Sequence, residues 1–279
     1  MKRKLLLAGL SFFCLLFAKA QHYDFPSPVS FSLGLSGAAD TTVWSLFSNP
    51  AGISSVETPA AGVGYHNAFL TEALSSQTAF GVVPLSLLNA GVVYSRYGNQ
   101  LFNHQHISLS IGRSVAPYLR MGVRFRYVMR TIKHAETADA FTFDAGFSLD
   151  ASEKVTLSVF GRNAAGQSLK DEFSEQPLAS FLAVACNVKL SPTFGVIADI
   201  MHRNNLSRQI YGFGMSARVH STVELRGAIS AKPVRLAFGT TIRWEGIELT
   251  MGANHHDQLG LSSTAGIVWH FEGKGGGEK

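Results

Sequence analysis

From Val234 to Glu245 the chain alternates without interruption. Val234, Leu236, Phe238, Thr240, Ile242 and Trp244 fall on one parity, and Arg235, Ala237, Gly239, Thr241, Arg243 and Glu245 on the other. A period of two belongs to a strand, whose successive side chains point to opposite faces, and not to a helix of period 3.6. The stretch from Leu119 repeats the pattern, setting Leu119, Met121, Val123, Phe125, Tyr127 and Met129 against Arg120, Gly122, Arg124, Arg126 and Arg130. Phe141, Phe143, Ala145, Phe147 and Leu149 then oppose Thr142, Asp144, Gly146, Ser148 and Asp150, and Leu259 to Phe271 closes the chain in the same manner. One face of each strand is apolar and the other carries charge or small polar groups.

Segments of this kind are predicted near Thr58 to Phe69, Gln77 to Pro84, Leu88 to Tyr97, His104 to Arg113, Pro117 to Arg130, Ala140 to Asp150 and Lys154 to Asn163. More follow near Leu178 to Leu190, Thr193 to His202, Arg208 to Val219, Thr222 to Ser230, Val234 to Trp244, Ile247 to Asn254 and Leu259 to Phe271. The total is about fourteen, an even number, as in a transmembrane antiparallel up-and-down barrel. Every second connection is tight (Ala151 to Glu153, Ser191-Pro192, His220-Ser221, Glu245-Gly246), while longer ones run from Tyr97 to Asn103, Thr131 to Asp139 and Ala164 to Pro177. Short turns on one side and longer loops on the other are the rhythm of an outer-membrane barrel, with both chain ends facing the periplasm. Trp244, Trp269, Phe271, Tyr127 and Tyr211, near strand ends, suit the aromatic girdles of such barrels. Gly81, Pro84 and Gly91 offer a place where the ladder near the third strand could be interrupted, unless Pro84 simply ends a strand.

The first twenty residues change the picture of charge and location. Lys2, Arg3 and Lys4 precede an apolar run from Leu5 to Phe17 and then Ala18-Lys19-Ala20, the layout of an export signal cleaved before Gln21. Loss of Lys2, Arg3, Lys4 and Lys19 takes the formal charge from +5 to +1, so nothing points to nucleic acid. Beyond the signal no apolar stretch reaches the ~18 residues of a membrane helix, so any crossing is made by strands. Cys14 leaves with the signal and Cys186 alone remains, which excludes an internal disulfide. Residues 272–279 read as a glycine-rich tail.

Candidate chemistry is sparse. Arg120, Arg124, Arg126 and Arg130 share the face opposite the apolar one and neighbour Asp144 and Asp150 of the next strand. Cross-strand ion pairing is one reading; recognition of a carboxylate or phosphate headgroup by forked guanidinium groups is the other. Arg235, Arg243, Glu224, Arg226 and Glu248 read as a second polar interior network. His104 and His106, and His255-His256 with Asp257, lack a complete metal-ligand set, so no metal and no cofactor is expected. Cys186 sits among apolar neighbours as a buried or lipid-facing thiol. There is no Gly-x-Ser-x-Gly elbow or phosphate-binding loop, and an enzyme is not expected.

Before the first strand, Gly37 to Gly52 is rich in small residues and ends in Asn49-Pro50-Ala51-Gly52. Asn49 would cap or turn the chain and Pro50 would fix φ. This segment, with the strands behind it, resembles the N-terminal region of the FadL-like outer-membrane superfamily. Trp44 to Gly52, Val63-Gly64-Tyr65-His66-Asn67, Tyr94 to Gly98 and Met121 to Phe125 are similar to the PorV/PorQ branch of Bacteroidetes. The resemblance spans the mature chain and implies a barrel of about fourteen strands over residues 58–271, with residues 21–57 as a plug or hatch inside it. It also implies outer-membrane lipids as surroundings and one of two roles. As in PorV/PorQ, the chain would serve type IX protein secretion or surface assembly with secretion-system proteins as partners; as in FadL, it would be a passive channel for long-chain fatty acids or other hydrophobic small molecules.

Overall fold

In the computed structural model, residues 24–34, 36–134, 137–171, 175–203, 209–231 and 234–271 are described. The expected export signal (1–20) and glycine-rich tail (272–279) lie outside them. The strands are β1 (Ala60–Asn67), β2 (Ser75–Pro84), β3 (Asn89–Gly98), β4 (Phe102–Ala116), β5 (Leu119–Ile132), β6 (Ala138–Asp150), β7 (Val155–Arg162), β8 (Ser168–Lys170) and β9 (Glu175–Pro177). They continue as β10 (Phe181–Lys189), β11 (Phe194–Arg203), β12 (Gln209–His220), β13 (Val223–Ala231), β14 (Arg235–Trp244), β15 (Ile247–His256) and β16 (Gly260–His270). All but β8 and β9 join in a closed antiparallel ring of fourteen. β1 seals against β16 from Ala60↔His270 to Asn67↔Ser263, which closes the ring.

The alternation explains the closure. Phe238 is 63% exposed, Phe141 75% and Trp244 70%, and such apolar groups recur around the outer wall, while Arg124, Asp144, Thr241 and Thr250 of the opposite parity are buried inside. A continuous exposed apolar belt has no place in water, whereas the hydrocarbon core of a bilayer covers it. No described helix is long and apolar enough to cross a membrane; this chain crosses with strands. Cys186 lies on the outward parity of β10 beside Val184 and is half-buried.

The fourteen long strands fall where the alternation places them, within a few residues at each end. Three local features differ or resolve. The β3–β4 connection is short, residues 99–101 alone, because Phe102 and Asn103 continue the ladder to Gly98. The long β7–β10 connection folds back as the β8–β9 hairpin, which touches β6 at Asp139↔Lys170. The β2–β3 ladder is unbroken from Ser76↔Tyr97 to Pro84↔Asn89, so Pro84 ends a strand instead of interrupting one. At the β14–β15 turn, Glu245 (φ 47°) and Gly246 (φ 80°) both have positive φ, the two-residue hairpin geometry that matches strand twist.

Candidate functional site

Residues 24–34 and 36–57 run inside the ring, and each local turn described below has its signal in the sequence. Helix α1 (Pro28–Ser32) has Pro28 at its first position and is capped by Ser27, whose Oγ accepts from Ser30 N at 3.1 Å. A 3₁₀ turn over Val43–Phe47 is capped by Thr42, whose Oγ1 accepts from Trp44 N at 3.2 Å. A second over Pro50–Ser55 starts at Asn49, whose Oδ1 accepts from Ala51 N at 3.0 Å. Asn49 is fully buried, and its Nδ2 donates to Ala38 O (2.7 Å), and to Ser148 Oγ (3.3 Å) and Phe147 O (3.4 Å) of β6. The Asn-Pro-Ala-Gly motif thus starts a turn with one side-chain oxygen and fastens that turn to the wall with the amide nitrogen.

The main apolar core of the protein lies within the lumen. Phe25, Trp44, Leu46, Phe47 and Ile53 of the segment pack with Phe80, Val82, Val93 and Val268 of the wall. Trp44 and Phe80 meet at 4.9 Å between centroids with their rings tilted by 56°, and Phe47 meets Phe80 edge-on at 5.1 Å. The wall receives these groups through inward-facing glycines. A Cβ on Gly64 would come 2.5 Å from Phe25 Cζ, one on Gly112 would come 2.6 Å from Ile53 Cγ1, and those on Gly91, Gly122, Gly146 and Gly266 would collide with Leu46, Pro50, Asn49 and Trp44. Register aligns several of them, with Gly112 opposite Gly122, Gly122 opposite Gly146, and Gly64 opposite Gly266. The lumen is therefore a socket shaped for this segment.

Ion pairs grip the segment from both sides. Arg124 faces Asp144 across the β5–β6 ladder and donates from Nε to its Oδ2 at 2.8 Å, while its Nη1 reaches Leu46 O at 2.6 Å. Arg126 donates to Asp24 Oδ2 at 2.9 Å and lies 3.2 Å from Asp144; Arg162 shares Asp24 at 2.5 Å and donates to Phe47 O at 2.7 Å. Arg120 binds Asp150 (2.7 Å) and Ser55 Oγ (2.8 Å), and Arg130 reaches Asp171 at 3.5 Å and Gln176. All four arginines of the β5 stripe thus face the lumen and hold a carboxylate. On the far wall Arg243 pairs with Glu248 (2.9 Å) and Glu224 (3.3 Å), Arg226 with Glu224 (3.0 Å) and Ser32 Oγ (3.0 Å), and Trp44 Nε1 donates to Glu248 at 3.1 Å.

Between the segment and β10–β13 remains a cavity of ≈ 130 Å³, bordered by Val29, Leu33 and Ile197 and by Asp40, Asp199 and Arg226. Asp40 Oδ1 accepts from Thr42 N (2.9 Å) and Oγ1 (2.8 Å), while Oδ2 is buried without a hydrogen bond. Burial pushes the Asp40 carboxyl up to about 6 against the pull of the Thr42 donors and Arg226. His104 and His106 point inward, His106 3.6 Å from Asp24, and His256 sits 3.0 Å from Asp257; among the described residues no grouping of three or more His, Cys, Asp or Glu is suited to a metal.

Sequence reasoning found the stripe, its acids and the motif, and missed Asp24, Arg162 and the glycine sockets. A signal existed for Asp24, the first acid in the chain, four residues past the expected cleavage site. Inward parity marked Gly122, Gly146 and Gly239 as lumen-facing, but what filled the space opposite them was not readable.

No protein-family model and no curated protein matches the chain. Solved structures do. A Pseudomonas aeruginosa FadL homologue superposes with TM-score 0.62 at 9% identity, over 89% of this chain and 98% of that one. The Pseudomonas putida toluene transporter TodX gives 0.62 at 10%, over 88% and 98%, and a deltaS2S3 mutant of the TodX monoaromatic hydrocarbon channel gives 0.66 at 10%, over 89% and 99%. The fold is FadL-type. With the lipid-facing belt, it places the chain in the outer membrane as a multi-strand barrel. At these identities the likeness concerns architecture and carries no substrate with it.

Proposed function

We propose that this chain is a FadL-like passive channel for hydrophobic small molecules. The carrying observation is that the main apolar core lies inside the barrel, not in a water-filled lumen. Porin lumens are polar and conduct water-soluble solutes; a lumen that holds Phe25, Phe47, Phe80 and Val93 in contact offers an apolar solute a place to partition. The residues 24–57 would act as the plug, and movement of part of that segment would open apolar surface to a solute entering from outside. The structural neighbours include a FadL homologue and a toluene transporter, which supports the same reading.

The secretion role drawn from the PorV/PorQ resemblance rests on short motifs, and several of these have structural duties of their own: Asn49 to Gly52 builds the lumenal turn, and Gly64 and Gly122 make room for Phe25 and Pro50. The test is uptake by a Gram-negative host lacking its own channel for hydrophobic compounds. Expression of this chain should raise entry of labelled oleate or toluene across the lipopolysaccharide layer. A correctly assembled barrel that raises entry of neither, and that is isolated with stoichiometric secretion components, would overturn the channel reading in favour of secretion.

A further inference from the structure

Two carboxyls in the lumen have no cation of their own. Asp199, on the inward parity of β11, is 4% exposed; its Oδ2 accepts from Ser36 N at 3.2 Å and from Ser36 Oγ, and among the described residues it makes no ion pair. Asp40, in the lumenal segment, turns Oδ1 to Thr42 and keeps Oδ2 shielded from solvent with no hydrogen bond. Both border the same cavity of ≈ 130 Å³. The cations nearby are already engaged. Arg226 commits Nη1 to Glu224 at 3.0 Å, Nε to Ser32 Oγ at 3.0 Å and Nη2 to Thr241, while Arg243 lies between Glu224 (3.3 Å) and Glu248 (2.9 Å). Arg218 is opposite Glu224 in the β12–β13 ladder but is exposed at the rim and does not border the cavity. Two arginines therefore answer Glu224 and Glu248, and Asp40 and Asp199 remain uncompensated. An ionised carboxylate held away from water without a counter-charge is costly, so a group that brings positive charge into this cavity relieves both.

The rest of the cavity restricts what that cation can be. Val29, Leu33, Ala185 and Ile197 form an apolar side, which offers a hydrated inorganic ion nothing in exchange for its water, and among the described residues no three ligands are grouped for a metal. The volume approaches the about 150 Å³ in which an engineered apolar cavity holds benzene, room for roughly four to six carbon atoms. Asn187, Ser216 and Glu224 belong to the halves of β10, β12 and β13 next to the tight turns, so the cavity extends into the periplasmic side of the barrel. We propose that this cavity is a binding site for a small organic cation, an ammonium group on a compact apolar body, with Asp40 and Asp199 as its counter-charges and Val29, Leu33 and Ile197 against its carbon atoms. A primary ammonium carries three donors, enough to engage both carboxyls. The inference deepens the channel reading by naming a solute class on its exit side, and it separates amines from the neutral compounds that the apolar core alone would admit.

The full chain in neutral-lipid nanodiscs is titrated with isobutylamine and isobutanol, which share one shape and differ in charge, at neutral pH, where Asp40 is ionised. Bound ligand is read by saturation-transfer NMR against empty nanodiscs. The amine should bind about tenfold more tightly than the alcohol, the scale of one charge-assisted hydrogen bond. Asp40→Asn with Asp199→Asn, which keeps oxygen acceptors for Thr42 and Ser36, should abolish that preference and leave isobutanol affinity unchanged; heat-modifiable migration in gels reports that the variant barrel is folded. Glu57→Gln, which removes an exposed carboxylate outside the cavity, should leave the preference intact. Ammonium chloride at equal concentration and constant ionic strength should fail to displace the amine. An amine preference that survives in the double Asn variant, or that Glu57→Gln removes equally, would overturn the site, and equal displacement by ammonium chloride would overturn its assignment to an organic cation. A barrel that binds isobutylamine through these two residues but raises no cellular uptake of oleate or toluene would refute the channel reading and leave the site standing; uptake without any amine preference would do the reverse.

Discussion

Gly146→Ala tests whether the lumen is a fitted socket. Gly146 faces inward on β6, and a Cβ there would overlap Asn49 Oδ1, far inside the 3.0 Å below which real Cβ contacts do not occur. The obstacle cannot swing aside freely, because Asn49 is fully buried and its amide is committed to Ala51 N at 3.0 Å, Ala38 O at 2.7 Å and Ser148 Oγ at 3.3 Å. Displacing it breaks two or three hydrogen bonds whose partners stay buried, at about 1 kcal/mol or more each, so a loss of about 2–4 kcal/mol is expected. The matched control is Gly161→Ala on β7, where the nearest atom to a new Cβ is 4.0 Å away and the residue has the outward parity. Denaturant unfolding in lipid vesicles gives the difference, and proteolysis of residues 24–57 in the intact barrel shows whether the segment has left its seat. The reasoning is refuted if Gly146→Ala matches Gly161→Ala in both measurements.

Three further outcomes follow from the same geometry. Asp24→Asn leaves the buried Arg126 and Arg162 without their shared carboxylate, so the segment should lose about 3 kcal/mol of protection against protease, because an uncompensated buried charge is costly. Phe238→Arg places a cation on the lipid face and should cost about 2–4 kcal/mol in vesicle unfolding, with Phe238→Leu near neutral. Asp40 has a folded pKa raised to about 6, so its neutral form is favoured in the folded state. That contribution is complete below the unfolded value of 3.8 and is lost as pH rises through about 6. Segment protection should therefore fall as pH rises from 3.8 to about 6 and level off above that, with Arg226 and Glu248 as the charged neighbours of Asp40, and Asp40→Asn should flatten the profile.

The barrel was legible because its determinant is local. A strand in a bilayer needs one apolar parity, and Leu236, Phe238 and Ile242 announce that parity without reference to anything distant. The stripe from Arg120 to Arg130 was legible for the same reason, since Arg124 and Asp144 lie on neighbouring strands joined by one connection and the register that aligns them follows from the pattern. The site was only half legible, because its meaning depends on what lies across the lumen. Asp24 meets Arg162 at a separation of 138 residues, and Trp44 meets Glu248 at 204. No periodicity encodes such a pairing. Gly239 makes the point most sharply: by parity it looks like a free lumenal position, where an arginine would be tolerated, yet a Cβ there would strike Ser32 of α1. A glycine on the inward parity of a barrel strand is therefore ambiguous between an open channel wall and a packed socket. The ambiguity is resolved here by coincidence of rows: Gly112, Gly122 and Gly146 sit level on three adjacent strands, and Asn49 and Pro50 occupy the groove they leave. Aligned inward glycines together with a small-residue segment before the first strand form a joint pattern in which each half predicts the other, and neither half carries that information alone.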